Sequence, residues 1–380
     1  MIVCYMCETE ISKENHSDEH IILNALGGRL KSKKLLCKKC NSIYGSDYDA
    51  ELAKSTNTLA NLLMIKREDG QSQPIKGKLS STQESYSILP DGSPRAGKPK
   101  FIKEIDGEKI KYSISARDES ELTTILKGLQ KKHPELNITD AIANSTHKNV
   151  YLNEPIQFDV AIGGLKVFKA VTKSAVNFYI HNGGDRNEIK HVIQYLRDEA
   201  DLDVAWLHYP NTSPYIAGDE EVSHLVYIYG SASDKILYAY IEFFNTDCYI
   251  VKLNDDYKGN NINAVYVQNL IDNTNTTDVF IPNYSREEIL NFFENKNYKP
   301  FTEVQKRYDR TMNIAYKRQT SNHTYKLMSE GLQNALGKYP EGTKITEEMI
   351  GEAVEETMKL LEPWIIRNMK RSENLEDKEE

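Results

Sequence analysis

The sequence predicts an α+β protein: a small metal-stapled N-terminal module, then a larger body with an antiparallel sheet and C-terminal helices. Three observations predict it. Four cysteines form two Cys-x-x-Cys pairs, Cys4/Cys7 and Cys37/Cys40, within the first 40 residues. Apolar residues alternate with polar ones over 101–116 and 223–253, the period of strands. Apolar residues recur at helical spacing over 47–64 and 346–370, and a long polar helix fits 302–336.

The cysteines come first. No basic stretch followed by an apolar one opens the chain, so it has no signal peptide and is expected in the cytosol. There, a double Cys-x-x-Cys reads as a metal site and not as disulfides. Each pair makes a tight knuckle whose thiolates converge on one ion. Two knuckles complete a tetrahedral Cys₄ shell, which suits Zn²⁺. A closed shell leaves no open position, so this zinc is structural. Cys248 lies in an apolar strand pattern and is expected buried as a small hydrophobe.

Composition sets bounds. The chain has 380 residues, 39% apolar and 27% charged, with a net charge of −8 and a mean hydropathy of −0.59. That is a globular chain of two or three domains, and no apolar run is long enough to span a membrane. The acidic balance argues against a protein coated in nucleic acid. One local exception stands out. Residues 29–39 carry six basic groups and no acid: Arg29, Lys31, Lys33, Lys34, Lys38 and Lys39. Such a run is either a solvated face or a local phosphate-binding surface.

Between the knuckles runs Ser17-Asp18-Glu19-His20-Ile21-Ile22-Leu23-Asn24-Ala25-Leu26-Gly27-Gly28, and after the second comes Asn41. The acidic-His-Ile-Ile run, the Gly-Gly and Leu-Leu-Cys-x-x-Cys-Asn at this spacing resemble the HNH endonucleases, in their zinc-knuckle branch. The resemblance covers roughly residues 1–55. It implies a ββα-metal fold in which two short strands and a helix clasp a catalytic divalent ion, Mg²⁺ or Mn²⁺. It further implies that His20 is the general base and that Glu19 and Asn41 ligate the ion. The chemistry agrees: an imidazole with pKa near 6.5 accepts a proton from water at neutral pH, and a hard ion offsets phosphate charge.

The pattern has departures. Many family members carry an orienting Asn where this chain has Ser32; Asn24 is an alternative for that role. Another common Lys position is Tyr44, so Arg29, Lys33, Lys34, Lys38 and Lys39 are the candidate phosphate contacts. Asn41 fits a helix N-cap as well as a ligand. Asp47 and Asp49 are expected at the start of the helix over 47–64, where acids suit the dipole. Asp49 is the better functional candidate of the two, as an accessory residue. His16 reads as a loop histidine.

The body is read element by element. Asp106-Gly107 is a hairpin turn signal, Asp118 with Glu121 caps a helix over 119–132, and Ser285 with Glu288 forms a second capping box. Helices fit 166–180 and 186–198, and a three-stranded meander fits 223–253. The 23 tyrosines are expected on core and sheet faces, and the scattered histidines are expected to be satisfied or exposed. Pro363 is a candidate kink in the last helix. Ser372–Glu380 reads as an acidic, disordered tail. The expected division is a nuclease module over 1–68, a recognition domain over 69–295 and a helical segment over 296–380.

The function expected is a metal-dependent HNH endonuclease cutting DNA, of bacterial restriction or antiphage type. It would bind DNA, work alone or with a protein partner or a further copy of itself, and have no membrane association. Two alternatives stand beside it: a nuclease effector subunit activated by a partner or nucleotide signal, and a non-catalytic zinc module that binds nucleic acid or protein.

Overall fold

The computed structural model describes residues 2–107, 109–146, 151–210, 213–276, 279, 284–296 and 301–376. In chain order its elements are β1 (Glu19–His20), β2 (Lys31–Ser32), α1 (Lys38–Tyr44), α2 (Ala50–Leu62), β3 (Ile75–Leu79), β4 (Ser85–Ile88), β5 (Pro94–Ala96), β6 (Lys100–Asp106), β7 (Lys109–Ser115), α3 (Glu119–Gln130), α4 (Ile138–Ala143), β8 (Ile156–Gln157), α5 (Leu165–His181), α6 (Lys190–Leu196), β9 (Ala205–Leu207), β10 (Ser223–Ser231), β11 (Ile236–Phe243), β12 (Asp247–Asn254), β13 (Ile262–Asn269), β14 (Asn275–Thr276), α7 (Arg286–Asn295), α8 (Phe301–Leu336) and α9 (Glu347–Glu376). The protein is α+β, and its sheets are antiparallel. None of the described helices is long and apolar enough to cross a membrane.

The chain forms two compact units. The first comprises 1–73 with 160–318, and the second 74–159 with 319–380. The N-terminal module shares its unit with the central sheet.

In the first unit the sheet runs in the order β14-β13-β10-β11-β12-β9. Its meander follows the expected strands closely, with Tyr227 facing Tyr240 across β10 and β11. Every residue of β11 is buried, so both sheet faces are covered. On one face Leu225, Tyr227, Tyr238 and Tyr240 pack with Ile289 and Phe293 of α7. The other face meets α5, whose residues 169–179 are all buried. A helix apolar all round belongs in a core. Yet α5 also buries Lys169, Thr172, Lys173, Ser174 and Asn177, and buried polar groups need partners. Lys169 pairs with Asp198 and Thr172 donates to the Phe168 carbonyl, whereas the partners of Lys173 and Asn177 lie in the N-terminal module. The tyrosines of the sheet are core residues, and Cys248 is fully buried, as expected.

In the second unit, β5-β4-β3-β8 form a small sheet and β6 and β7 pair as the Asp106-Gly107 hairpin, with Gly107 at φ 61°. Asp118 caps α3 by accepting from the Glu121 backbone N–H at 2.8 Å, but the Glu121 carboxylate accepts from the Arg117 N–H (2.8 Å), so the expected box is not closed. Ser285 and Glu288 complete the expected capping box in the first unit.

Five further local expectations need correction. The helix expected over 47–64 begins earlier: α1 starts at Lys38 and continues through a π turn, Gly45–Asp49, into α2. Cys37 is the N-cap residue, so Asn41 sits inside the helix and does not cap it. Asp47 and Asp49 likewise lie within the π turn and not at a helix start. The stretch 186–198 opens as a 3₁₀ turn (Arg186–Ile189) before α6. Finally, α9 runs past Pro363 and through the expected tail to Glu376; residues 377–380 lie outside those described.

Candidate active site and metal centre

The two knuckles converge. A turn at 4–9, closed by the Cys4 N–H to Thr9 O bond (2.9 Å), carries the first pair. The start of α1 carries the second, with Cys37 as N-cap. The four ligand sulfurs all lie within 4.8 Å of one another, and the Cys7 and Cys37 sulfurs are 3.8 Å apart. A tetrahedral ion with metal–sulfur bonds of about 2.3 Å spaces its sulfurs about 3.8 Å apart. The cluster therefore fits a zinc knuckle. Burial, and then the charge of Cys4, pushes the Cys40 thiol up, a cost a bound cation would offset. His16 pairs with Cys37 only through the backbone, and its ring is not part of the group.

The Gly-Gly loop sets the next element. Gly27 adopts φ 92°, the left-handed region, and a Cβ on Gly28 would lie 1.9 Å from the Ile22 carbonyl oxygen. Only glycine fits there. The loop returns the chain so that β1 pairs with β2, Glu19 opposite Ser32 and His20 opposite Lys31. Two side chains of the sheet hold it from behind: His224 Nε2 meets the Leu26 carbonyl at 3.0 Å, and Gln268 Nε2 donates to the Gly27 carbonyl at 2.8 Å.

Glu19 points inward and is 2% exposed. Its Oε1 accepts from Asn177 Nδ2 at 2.8 Å and lies 2.6 Å from Lys173 Nζ. Asn177 also donates to the His20 carbonyl (3.1 Å) and accepts from Tyr5 Oη (2.7 Å). Lys173 Nζ reaches on to Asp49 Oδ2 at 2.5 Å. Thus two residues of α5 knit together Tyr5, Glu19, His20 and Asp49. Burial opposes the Lys173 charge, but Glu19 and then Asp49 outweigh it and hold the ammonium protonated. Burial, followed in size by the opposing pull of Lys173 and the push of Glu19, leaves the Asp49 carboxyl at about 6. Asp49 Oδ1 is buried without a hydrogen-bond partner.

His20 is partly exposed, and its Nε2 lies 3.4 Å from a Glu68 carboxylate oxygen, too poorly aligned for a hydrogen bond. Glu68 in turn pairs with Lys31 at 2.9 Å, and its backbone N–H donates to Asn24 Oδ1 at 2.9 Å. Asn24 therefore positions Glu68 and has no bond to His20. Ser32 Oγ accepts from the Lys34 N–H at 3.2 Å. Asn41 and Asp49 flank Gly45, their side-chain oxygens each 4.0 Å from where a Cβ on that glycine would stand. The structure thus joins Glu19 to Asp49 through Lys173 and sets Asn41 and Asp49 beside Gly45 of the π turn, a helix irregularity frequent at functional sites. Their oxygens are hard donors, and the unpartnered Asp49 Oδ1 is the kind of atom a cation satisfies. The residues fit a divalent ion in chemistry, although Lys173 already sits on two of them.

Of the basic run, Arg29 is engaged: its backbone N–H donates to Gln268 Oε1 (3.1 Å) and its guanidinium to the Lys66 carbonyl (3.3 Å). Lys33, Lys34, Lys38 and Lys39 are exposed. Lys38 and Lys39 occupy the first turn of α1, where the helix dipole disfavours cations. Asp47 is paired with Lys166 at the rim.

Sequence reading missed Tyr5, Glu68, Lys173 and Asn177. Glu68 lay in a stretch read as a boundary, and Lys173 and Asn177 sit more than 120 positions from Asp49 and Glu19. A polar residue every fourth position on one side of the otherwise apolar α5 (Lys169, Lys173, Asn177) was the only available signal.

No curated protein and no solved structure matches the chain. Residues 4–57 match the family described as HNH endonuclease, the stretch that contains the four cysteines, Glu19, His20, Asn41 and Asp49. By this match and the four-cysteine cluster within it, the N-terminal module of the chain is similar to the HNH endonucleases.

Proposed function

We propose that the protein is a metal-dependent endonuclease that hydrolyses phosphodiester bonds in DNA, with Zn²⁺ on Cys4, Cys7, Cys37 and Cys40 as a structural staple. The observation that carries this reading is the HNH endonuclease match over residues 4–57, within which Glu19 and Asp49 are joined through Lys173 in the same module as the four-thiol cluster. A zinc knuckle alone has no need of that group.

In this reading Glu19 and Asn41, with Asp49 as an accessory, would hold Mg²⁺ or Mn²⁺. That ion would stabilise charge on the phosphate and leaving oxygen. His20 is the general base. Its Nε2 lies 3.4 Å from a Glu68 carboxylate oxygen, and a neutral imidazole is the side chain suited to take a proton from water. Lys33, Lys34, Lys38 and Lys39 attract the phosphate backbone without reading bases. The larger body selects the substrate, binds a partner or a second copy, or senses a signal. A restriction or antiphage role in the bacterial cytoplasm is its most natural setting.

A second reading, a nuclease silent until a partner or nucleotide activates it, draws support from the Lys173 ammonium seated on the acids. The test of the first is incubation of purified protein with plasmid DNA and with RNA, in Mg²⁺ or Mn²⁺, beside His20→Ala. Loss of the general base should slow cleavage by about 10²–10⁴-fold while zinc content and DNA affinity hold. Cleavage by His20→Ala at the wild-type rate would falsify the assignment and favour a non-catalytic zinc module.

A further inference from the structure

We infer that Lys173 is the resident cation of the Glu19–Asp49 acid pair and that a divalent ion binds there by displacing it. This rests on the nuclease reading of the same acids.

Charge counting supports displacement. Lys173 is 1% exposed at its side chain and touches both carboxylates, at 2.6 Å and 2.5 Å. Two carboxylates and one ammonium leave one net negative charge among buried groups, and Asp49 Oδ1 still has no partner. A purely structural ion pair would be neutral, because uncompensated buried charge is costly. A divalent ion in place of the ammonium makes the group neutral. Both cations together would leave one net positive charge and set like charges side by side. The neutral state is the one with the metal and without the lysine.

The surroundings allow the exchange. Asn177, one helical turn on, holds Glu19 Oε1 and the His20 carbonyl through its own amide. The β1 backbone therefore stays fixed to α5 when the lysine leaves. The lysine stem is long and unbranched, so its ammonium withdraws by rotation about side-chain bonds while the helix stays in place. The consequence is a coupling: the ion must outcompete a cation supplied by the body, so metal affinity is set by α5 and not by the N-terminal module alone.

The experiment is Mn²⁺ binding to the zinc-loaded full chain, followed by electron paramagnetic resonance of free Mn²⁺, in wild type, Lys173→Met and Lys173→Arg. Methionine keeps the length of the stem and removes the charge. Lys173→Met should bind Mn²⁺ at least about tenfold more tightly than wild type, with Lys173→Arg no tighter than wild type, since one ammonium at this distance opposes the ion by more than that factor. Equal or weaker affinity in Lys173→Met overturns the inference. If that variant fails to fold, ¹⁵N-lysine spectra of wild type give the answer, with Lys173→Arg identifying the signal. The protected ammonium resonance of Lys173 should vanish as Mg²⁺ is added, and its persistence at saturation overturns the inference. Failure here is distinct from failure of the nuclease reading. Tighter Mn²⁺ binding without any cleavage upholds Lys173 and sinks the nuclease, and cleavage with unchanged affinity does the reverse.

Discussion

His224 ties the module's stability to pH. It is fully buried, with Nε2 donating to the Leu26 carbonyl at 3.0 Å and Nδ1 accepting from the Phe244 backbone N–H at 3.2 Å. Both nitrogens are satisfied only in the neutral ring. A second proton would sit on Nδ1, facing a donor, in a fully buried site. Burial accordingly pushes its pKa down to about 4, from an unfolded value near 6.5. A depressed histidine favours the folded state fully above the unfolded pKa, and that contribution is lost as pH falls from 6.5 towards 4. Lowering the pH from 8 to 5 should cost about 2 kcal/mol from this residue alone, from the difference between protonation at 6.5 and at 4. Asp247 works in the opposite sense. Burial raises it to about 6, so it destabilises the fold as pH rises from about 4 to 6. Asp49, also raised to about 6, acts in the same sense as Asp247, so the wild-type profile mixes these groups and the difference from His224→Gln isolates the histidine. Glutamine keeps an N–H for Leu26 and does not titrate. Urea denaturation at pH 5, 6, 7 and 8 should show wild type losing about 2 kcal/mol more than His224→Gln between pH 8 and pH 5. Parallel profiles would refute the buried neutral imidazole.

Three further outcomes are expected. Cys37→Ala should abolish stoichiometric zinc and remove hydrogen-exchange protection over residues 1–65, because structural zinc contributes on the order of 10 kcal/mol; full protection without metal would sink the zinc assignment. Gly28→Ala should destabilise the chain by about 3 kcal/mol or more, since the new methyl meets backbone and not a movable side chain; a urea midpoint equal to wild type would show that the loop relaxes freely. Replacing Lys33, Lys34, Lys38 and Lys39 with Gln should weaken DNA binding equally for all sequences and reduce the salt slope by about 0.9 for each phosphate that is no longer neutralised; an unchanged slope would mark the run as a solvated face.

The parts legible in the sequence are those written in nearby residues. The knuckles, the Asp118 and Ser285 caps, the Asp106-Gly107 hairpin and the tyrosine-rich meander each depend on positions within a few residues of one another. Their structural counterparts follow the expected bounds closely. The helix start failed because Lys38 and Lys39 suit a loop better than a first turn. Only the tertiary demand that Cys37 and Cys40 face Cys4 and Cys7 settles where the helix begins. The surroundings of the acids were illegible for another reason. Tyr5–Asn177, Glu19–Lys173 and Asp49–Lys173 join segments that nothing local ties together. A buried lysine in α5 has the same letter as a solvated one, and its role emerges only once the sheet has set α5 against the module.

The pairing of α5 with the first 73 residues bears on how this protein is inherited and engineered. Nuclease cassettes are often imagined as portable, exchanged between genes as intact beads. Here a cut after residue 68 would strip Glu19 and Asp49 of their ammonium and amide partners and leave the Leu26 and Gly27 carbonyls without His224 and Gln268. A chimera that grafts this cassette onto another recipient should work only if it brings α5 and the ends of β10 and β13 along.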